Sequence, residues 1–257
     1  MATFSEQTRT KDPKLGTYVG EFTTAGIGRL LKASGCDFAF VDMEHNGWSY
    51  ETAKAVLRSL HDTGVATVLR PPSQATHHLA RACDIGAQGV IPPMLSTVAQ
   101  AEAGIAAIKY PPEGQRGCAF GIAHDDYAPE PVIDAMAAAN AKTSFVALIE
   151  TAEGVANSAA IAAHPGVDCL WIGHLDLSAS LGIPGAFDSP VFLSAIDQVM
   201  AAARDNGKSV GRLVASAEEA KAFNAAGCDF LCYLGDVWLL QKALRDGFAD
   251  IRATISG

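Results

Sequence analysis

The chain has little positive charge and none of it in runs. Its 257 residues carry 28 aspartates and glutamates against 19 lysines and arginines, a net charge of −9. Nucleic-acid affinity rests on clustered lysine and arginine, so no nucleic-acid partner is expected. No apolar stretch approaches the roughly 20 residues that cross a bilayer, and the opening MATFSEQTRTKDPK lacks the apolar core of a secretion signal. Both absences lead us to expect a cytoplasmic protein with reduced thiols and no membrane partner. The six cysteines, at 36, 83, 118, 169, 228 and 232, form no Cys-x-x-Cys pair; they lack zinc-site spacing and read as small buried hydrophobes. No glycine-rich dinucleotide fingerprint follows a strand, so no nucleotide cofactor is expected. Nor does any predicted strand carry an interior lysine, since Lys142 and Lys208 flank strands at their N-terminal ends. A Schiff base needs a desolvated lysine amine. An electrophilic centre here is therefore expected to come from a metal.

What is present is enough for one large core: 49% of the residues are hydrophobic. The pattern alternates short apolar runs with helical segments. Strands are expected at Leu15–Gly20, Asp37–Val41, Ala66–Leu69, Gly89–Met94, Phe145–Ile149, Leu170–Ile172, Ser209–Val214 and Asp229–Leu234. Helices are expected between them, the first capped by Thr23 or Thr24 and the last over Val237–Ile255. A polar arm of about fourteen residues precedes the first strand. Gly35, Gly86, Gly166 and Gly227 each mark a junction where a helix turns back into a strand, and each is expected to supply C-cap geometry. Eight βα units without a dinucleotide fingerprint favour a (β/α)8 TIM barrel in one domain, 1–257, over a doubly wound sheet.

The centre of this pattern is Phe145–Gly182, which reads as strand, helix, strand. Its first apolar run stops at Glu150, and Asp176 lies four residues beyond the second. If the strands are parallel neighbours, both carboxylates reach the same edge. Two oxygen ligands with positions left open suit Mg²⁺ or Mn²⁺. The alternative is that Glu150 caps the following helix and Asp176 is itself an N-cap. In a barrel the C-terminal strand ends share the chemically active face. That face would gather Asp42, Glu44 and His45 from strand two, Arg70 from strand three, Pro92–Met94 from strand four, Arg212 from strand seven and Gly235-Asp236 from strand eight. Two acids for a cation, an arginine for a developing oxyanion and a histidine for proton transfer form a coherent set. Asp84 ends a helix before strand four, near the bottom of its own barrel. It is either structural or serves a neighbouring subunit. His174, beside the proposed ligand, faces substrate or simply belongs to the loop.

Several motifs taken in order resemble the metal-dependent pyruvate aldolases of the HpcH/HpaI family, which include 4-hydroxy-2-oxoheptanedioate and 2-keto-3-deoxy sugar-acid aldolases. They are VDMEHN at 41–46, LRPP at 69–72, CDIGAQGVIPPM at 83–94, YPPEGQRG at 110–117, IETAEG at 149–154 and GHLDLSASLG at 173–182. The resemblance spans roughly residues 15–240 and implies a phosphoenolpyruvate/pyruvate-type barrel. It implies that Glu150 and Asp176 hold a divalent metal (Mg²⁺, Mn²⁺ or Co²⁺), and that Arg70 binds the keto oxygen. It also implies that His45, through a metal-bound water, handles the 4-hydroxyl proton with Asp84 of an adjacent subunit. Gly173, His174, Leu175 and Asp176 would line the substrate site, with the backbone N–H groups of Leu175 and Asp176 on the pyruvate carboxylate. Asp42, Glu44 and Leu148 would stand behind them. A homohexamer (or trimer) with the last helix exchanged is implied as well. Two positions depart from the family: Leu148 replaces a common glutamine, and His174 a common proline or small residue. The rival reading is a CoA-thioester lyase of the citrate-lyase β or malyl-CoA type, against which stands the lack of a basic loop for CoA phosphates. A non-catalytic barrel is the remaining alternative.

Overall fold

The computed structural model describes residues 2–128 and 130–255. The strands β1 Lys14–Val19, β2 Phe38–Asp42, β3 Ala66–Arg70, β4 Gly89–Val90, β5 Ser144–Ile149, β6 Cys169–Ile172, β7 Ser209–Val214 and β8 Phe230–Gly235 pair in parallel, in sequence order, and β8 returns to β1 to close the barrel. The helices α1 Phe4–Gln7, α2 Ile27–Ala33, α3 Tyr50–His61, α4 Thr76–Asp84, α5 Val98–Ile108, α6 Val132–Lys142, α7 Ala152–Ala163, α8 His174–Ser180, α9 Pro190–Asp205, α10 Ala217–Ala226 and α11 Asp236–Ile255 complete the order. This is the (β/α)8 barrel expected from the alternation. Among the described residues no helix is long and apolar enough to cross a membrane.

Side chains alternate between the two faces of each strand, and the core divides accordingly. Outward residues such as Val41, Leu69, Ala147, Ile149, Leu170 and Ile172 pack under the helices. Inward residues fill the barrel in layers. A low layer includes Phe38, Ala66, Val146, Cys169 and Phe230, and a middle layer Phe40, Val68, Leu148, Trp171 and Cys232. The same parity puts Asp42, Arg70 and Glu150 in the next inward layer, at the C-terminal ends. Apolar stacking below thus lifts charged groups to the mouth.

Local differences from the sequence pattern have identifiable causes. The residues expected to form a polar arm contain a capped helical turn whose Phe4 is fully buried; its ring lies 4.8 Å from Phe230 and 6.3 Å from Phe38 and closes the barrel floor. Strand β4 ends early because, after the Ile91 N–H donates to Leu69 O, Pro92 and Pro93 have no N–H to continue the ladder. Helix α2 begins at a Gly26 cap and not at Thr23 or Thr24, although the Thr24 hydroxyl accepts from Gly26 N at 3.4 Å. Gly35, Gly86 and Gly227 take the positive φ expected at the junctions; Gly166 does not. It is needed for closeness instead, since a Cβ there would lie 2.9 Å from Ile105 Cγ2.

Candidate active site

A pocket of about 590 Å³ opens at the C-terminal mouth. His45, Arg70, Leu148, Glu150, Gly173, His174, Leu175 and Asp176, all expected at the site, line it. Strand register explains the grouping. Asp42 pairs with Arg70 across β2 and β3, and Ile149 pairs with Ile172 across β5 and β6, so Glu150 stands beside Gly173. A Cβ on Gly173 would lie 2.5 Å from Glu150 Oε2. Glycine there leaves the carboxylate its room.

Neither carboxylate is a helix cap. The Thr151 hydroxyl caps α7 by accepting from Gly154 N at 2.9 Å, and α8 starts at Gly173 without a side-chain cap, leaving Asp176 in its first turn. Glu150 is 2% exposed and accepts one hydrogen bond, from Met94 N to Oε1 at 2.6 Å. Burial pushes its pKa up to about 7; the Met94 N–H and Arg70 oppose the rise, while Asp176 and Glu44 add to it. Burial likewise raises Glu44, against Arg70 and His45.

Arg70 is clamped from behind. Its Nε donates to Asp42 Oδ1 at 2.6 Å, and its Nη1 lies 3.0 Å from Glu44 Oε2, without hydrogen-bond geometry at that oxygen. Asp42 is fully buried and also accepts from the Tyr18 hydroxyl at 2.8 Å and from the N–H groups of Glu44 and His45 at 3.1 Å each. Burial alone would raise its pKa; Arg70, the Glu44 N–H and the Tyr18 hydroxyl outweigh it, so the carboxyl ends below its ordinary value and stays ionised. Asp42 and Glu44 thus sit behind the lining and aim the guanidinium. The His45 side chain is 59% exposed, with Nε2 3.5 Å from Glu44 Oε2. His174 packs edge-on to Phe187, ring centroids 5.2 Å apart, and burial lowers its pKa.

Asp84 lies outside the pocket of its own chain, as its place before strand four led us to expect, and two positions expected at the mouth, Arg212 and Asp236, fall elsewhere. Asp84 accepts from Arg116 Nη2 at 2.6 Å and Nε at 3.2 Å, and the Arg116 guanidinium lies over Tyr110. Arg212 has outward parity on β7 and turns to Glu219, 2.9 Å away, over the Phe223 ring. Asp236 fastens the loop after β1, its Oδ2 accepting from the N–H groups of Gly20, Glu21 and Phe22. Sequence reasoning had passed over the apolar lining of Tyr18, Phe40, Trp171, Leu213, Cys232 and Trp238. Inward parity on each strand was the signal that could have found the first five. Trp238 lies on α11, where strand parity says nothing.

The acids fit a divalent cation. Glu150, Asp176 and Glu44 press negative charge on one another, opposed at close range by an Arg70 that Asp42 already engages. Among the described residues no group of three potential metal-binding side chains assembles. A donor set of two hard carboxylate oxygens, with the other positions left to water and substrate, would suit Mg²⁺-like ions better than a closed zinc cage.

Similarity to known proteins extends over nearly the whole chain. The HpcH/HpaI aldolase/citrate lyase profile matches residues 15–235. A hydroxypyruvate/pyruvate aldolase of Pseudomonas aeruginosa is 31% identical over 95% of this chain and 90% of its own. A 4-hydroxy-2-oxo-heptane-1,7-dioate aldolase of Escherichia coli is 29% identical over 90% of this chain and 87% of its own. The crystal structure of an HpcH/HpaI aldolase from Desulfitobacterium hafniense superposes with a TM-score of 0.92 at 26% identity, covering 98% of this chain and 97% of that one. The chain belongs to the HpcH/HpaI aldolase/citrate lyase family and is a carbon–carbon lyase.

Proposed function

We propose that the protein is a divalent-metal-dependent aldolase that breaks and forms the C3–C4 bond of 4-hydroxy-2-oxo acids, giving pyruvate and an aldehyde. The observation that carries this reading is the meeting of Glu150 and Asp176 at a pocket mouth beside a clamped Arg70. Glu150 and Asp176 would hold the cation, Mg²⁺, Mn²⁺ or Co²⁺, and its chemistry would be to polarise the 2-oxo group. Arg70 donates to the same oxygen and opposes the charge of the enolate; fixed by Asp42, it needs no reorganisation as that charge develops. The first-turn N–H groups of Leu175 and Asp176 have no partner one helical turn back and are available to the substrate carboxylate. His45, exposed at the mouth, takes the 4-hydroxyl proton during cleavage and returns it during condensation.

Asp84 of an adjacent subunit is assigned to assist His45, because in its own chain it is outside the pocket. The assembly proposed is a homohexamer with α11 exchanged. Its support is the apolar, exposed face of α11, where Trp238, Leu240, Leu244, Phe248, Ile251 and Ile255 are uncovered and only Asp236 is buried. The compartment proposed is the cytoplasm, consistent with six unpaired cysteines.

The test does not require the aldehyde to be known. Protein stripped with chelator and reloaded with Mg²⁺, Mn²⁺ or Co²⁺ is expected to exchange the pyruvate methyl protons in D₂O, followed by NMR. Glu150→Gln and Arg70→Ala should abolish the exchange. Turnover of malyl-CoA without any exchange on free pyruvate would replace this reading with the thioester-lyase one.

A further inference from the structure

We infer that Arg116 is a positioning residue for the neighbouring copy: it holds the Asp84 carboxylate at the subunit surface in the orientation from which it assists the neighbour's His45. The inference rests on the aldolase reading above and on its assignment of Asp84 to an adjacent subunit's pocket. The first observation is that the pair is lopsided. The Arg116 side chain is 1% exposed and the Asp84 side chain 34%. Both guanidinium contacts, from Nη2 at 2.6 Å and from Nε at 3.2 Å, go to one oxygen, Oδ1. Among the described residues Oδ2 accepts no hydrogen bond. A tie that served only to fasten a loop to a helix would engage both oxygens side by side, the geometry that guanidinium and carboxylate favour. Here the cation lies inside and one oxygen of the acid is left over.

The second observation is how firmly the cation is fixed. Its guanidinium lies 4.5 Å from the centroid of the Tyr110 ring, and Tyr110 is fully buried. Tyr110 N donates to Asn140 Oδ1 at 2.7 Å, and Asn140 Nδ2 donates to Tyr110 O at 3.0 Å, so α6 locks the start of the loop. Gln115 N and Arg116 N donate to the carbonyls of Ala106 and Lys109 at 2.6 and 2.9 Å, which folds the loop back onto the end of α5. Gly114 permits that fold, since a Cβ there would lie 2.4 Å from Lys109 O. Among the described residues Asp84 is the only acid within ion-pair distance of Arg116. Burying a guanidinium is costly, and a single partner left partly in water is a poor return in stability alone. As a rigid mount for an acid that must point outward, the arrangement is well suited.

Third, the mount matches a need at the mouth. The His45 side chain is 59% exposed, and the acid of its own chain nearest to it, Glu44, is 3.5 Å away and also faces Arg70. In cleavage the 4-hydroxyl proton passes to His45, the C4–O bond becomes the aldehyde carbonyl and the C3–C4 pair enters the pyruvate enolate. C3 then takes a proton to give pyruvate. A second acid brought to His45 by the neighbour acts only if it arrives in one orientation, and Arg116 sets that orientation before the copies meet.

The experiment uses the full chain loaded with Mn²⁺ and two reactions that release pyruvate. Cleavage of 4-hydroxy-2-oxopentanoate requires the 4-hydroxyl proton to move. Decarboxylation of oxaloacetate, measured above the metal-only background, breaks its C3–C4 bond with loss of CO₂ and leaves the same enolate without such a proton. Arg116→Gln is expected to lower kcat for cleavage about ten- to a hundredfold, the effect of a misplaced group, with KM little changed. That fall should exceed the fall in decarboxylation by at least about tenfold. Arg116→Lys should recover part of it. Asp84→Asn should match Arg116→Gln, and the double variant should be no worse than either. Arg116→Gln subunits co-expressed with Arg70→Ala subunits should regain about a quarter of the parent's cleavage rate, the frequency at which random assembly joins an intact Arg70 to a neighbour's intact Arg116. Arg70→Ala mixed with Glu150→Gln, both in one chain's own pocket, should regain none. Equal losses in the two reactions would make Arg116 a structural tie and leave the aldolase reading standing. So would mixed oligomers that recover with Asp84→Asn but not with Arg116→Gln. No pyruvate from either substrate with the parent protein would remove the aldolase reading and the positioning role with it.

Discussion

Adding one methyl group to Gly173 tests how tightly the geometry of Glu150 is held. Gly173 has φ −91° and ψ 88°, so an alanine there meets no left-handed backbone strain. The consequence is steric and local. The new Cβ would lie 2.5 Å from Glu150 Oε2, 2.7 Å from its Cβ and 3.3 Å from its Cδ. Glu150 has little room to retreat, being 2% exposed and tied to Met94 N at 2.6 Å. Either the carboxylate rotates and gives up that charge-assisted hydrogen bond, or β5 and β6 separate. Overpacking of this kind costs about 1–3 kcal/mol, and loss of a hydrogen bond to a charged group about 1.5–3 kcal/mol. Expressed at the ligand, 1–3 kcal/mol is roughly a 5- to 150-fold loss of Mn²⁺ affinity. Isothermal titration of the metal-free protein measures it, and pyruvate proton exchange should fall in parallel. Gly117→Ala, where a Cβ meets nothing within 4 Å, is the control. If Gly173→Ala bound Mn²⁺ within twofold of the parent and kept its exchange rate, Glu150 would not be a ligand held in this position.

Asp42→Asn keeps the shape but removes the charge that Arg70, Tyr18 and two backbone N–H groups address. We expect a stability loss of about 1.5–3 kcal/mol in urea melts, with a fall in kcat exceeding that in substrate affinity because Arg70 loses its aim. Glu150 gives a pH signature: its pKa is raised from 4.5 to about 7, so the folded protein penalises the ionised form. The metal-free protein should therefore lose up to about 3 kcal/mol as pH rises from 4.5 through 7. Metal affinity should fall about tenfold per pH unit below 7, since binding must expel that proton. Thermal melts with and without Mn²⁺ check both, and Glu150→Gln should lack both. Phe4→Ala opens a void at the barrel floor and is expected to cost about 3–5 kcal/mol in chemical denaturation, with specific activity of the folded fraction retained.

The barrel and much of its mouth were readable because strand-end position and family motifs agreed. Glu150, Arg70 and Asp42 end apolar runs, and in a parallel barrel that fact alone sets their height. Height is only half of a position. Arg212 also lies near a strand end, but its parity is outward, and it stacks on Phe223 where the site does not reach. Counting faces along β7 from Gly211, which closely approaches Trp171, would have turned attention from Arg212 to Leu213. The apolar lining was hidden for the opposite reason: aromatic residues inside a strand look like core until the closed barrel leaves a gap above them. Phe4 was missed because a single aromatic in a polar segment has no periodicity to announce it. Asp84 is a different case, since one chain places it against Arg116 and only a second copy could bring it to a pocket.

The distribution of charge explains why these features occur together. A barrel mouth that buries Asp42, Glu150 and most of Glu44 and Arg70 pays heavily in desolvation, and ion pairs in such places seldom repay it fully. The chain satisfies Arg70 and Asp42 internally, with five close polar contacts to the two of them. It leaves Glu150 with a single N–H donor and Asp176 exposed at the rim. Stability of the empty fold would be better served by a second cation near Glu150 or by replacing it with an apolar residue. Burial disfavours the ionised form of Glu150 in the empty fold, so a cation entering during function would relieve that cost. The inward aromatic layers beneath it supply the apolar burial that makes that local instability tolerable.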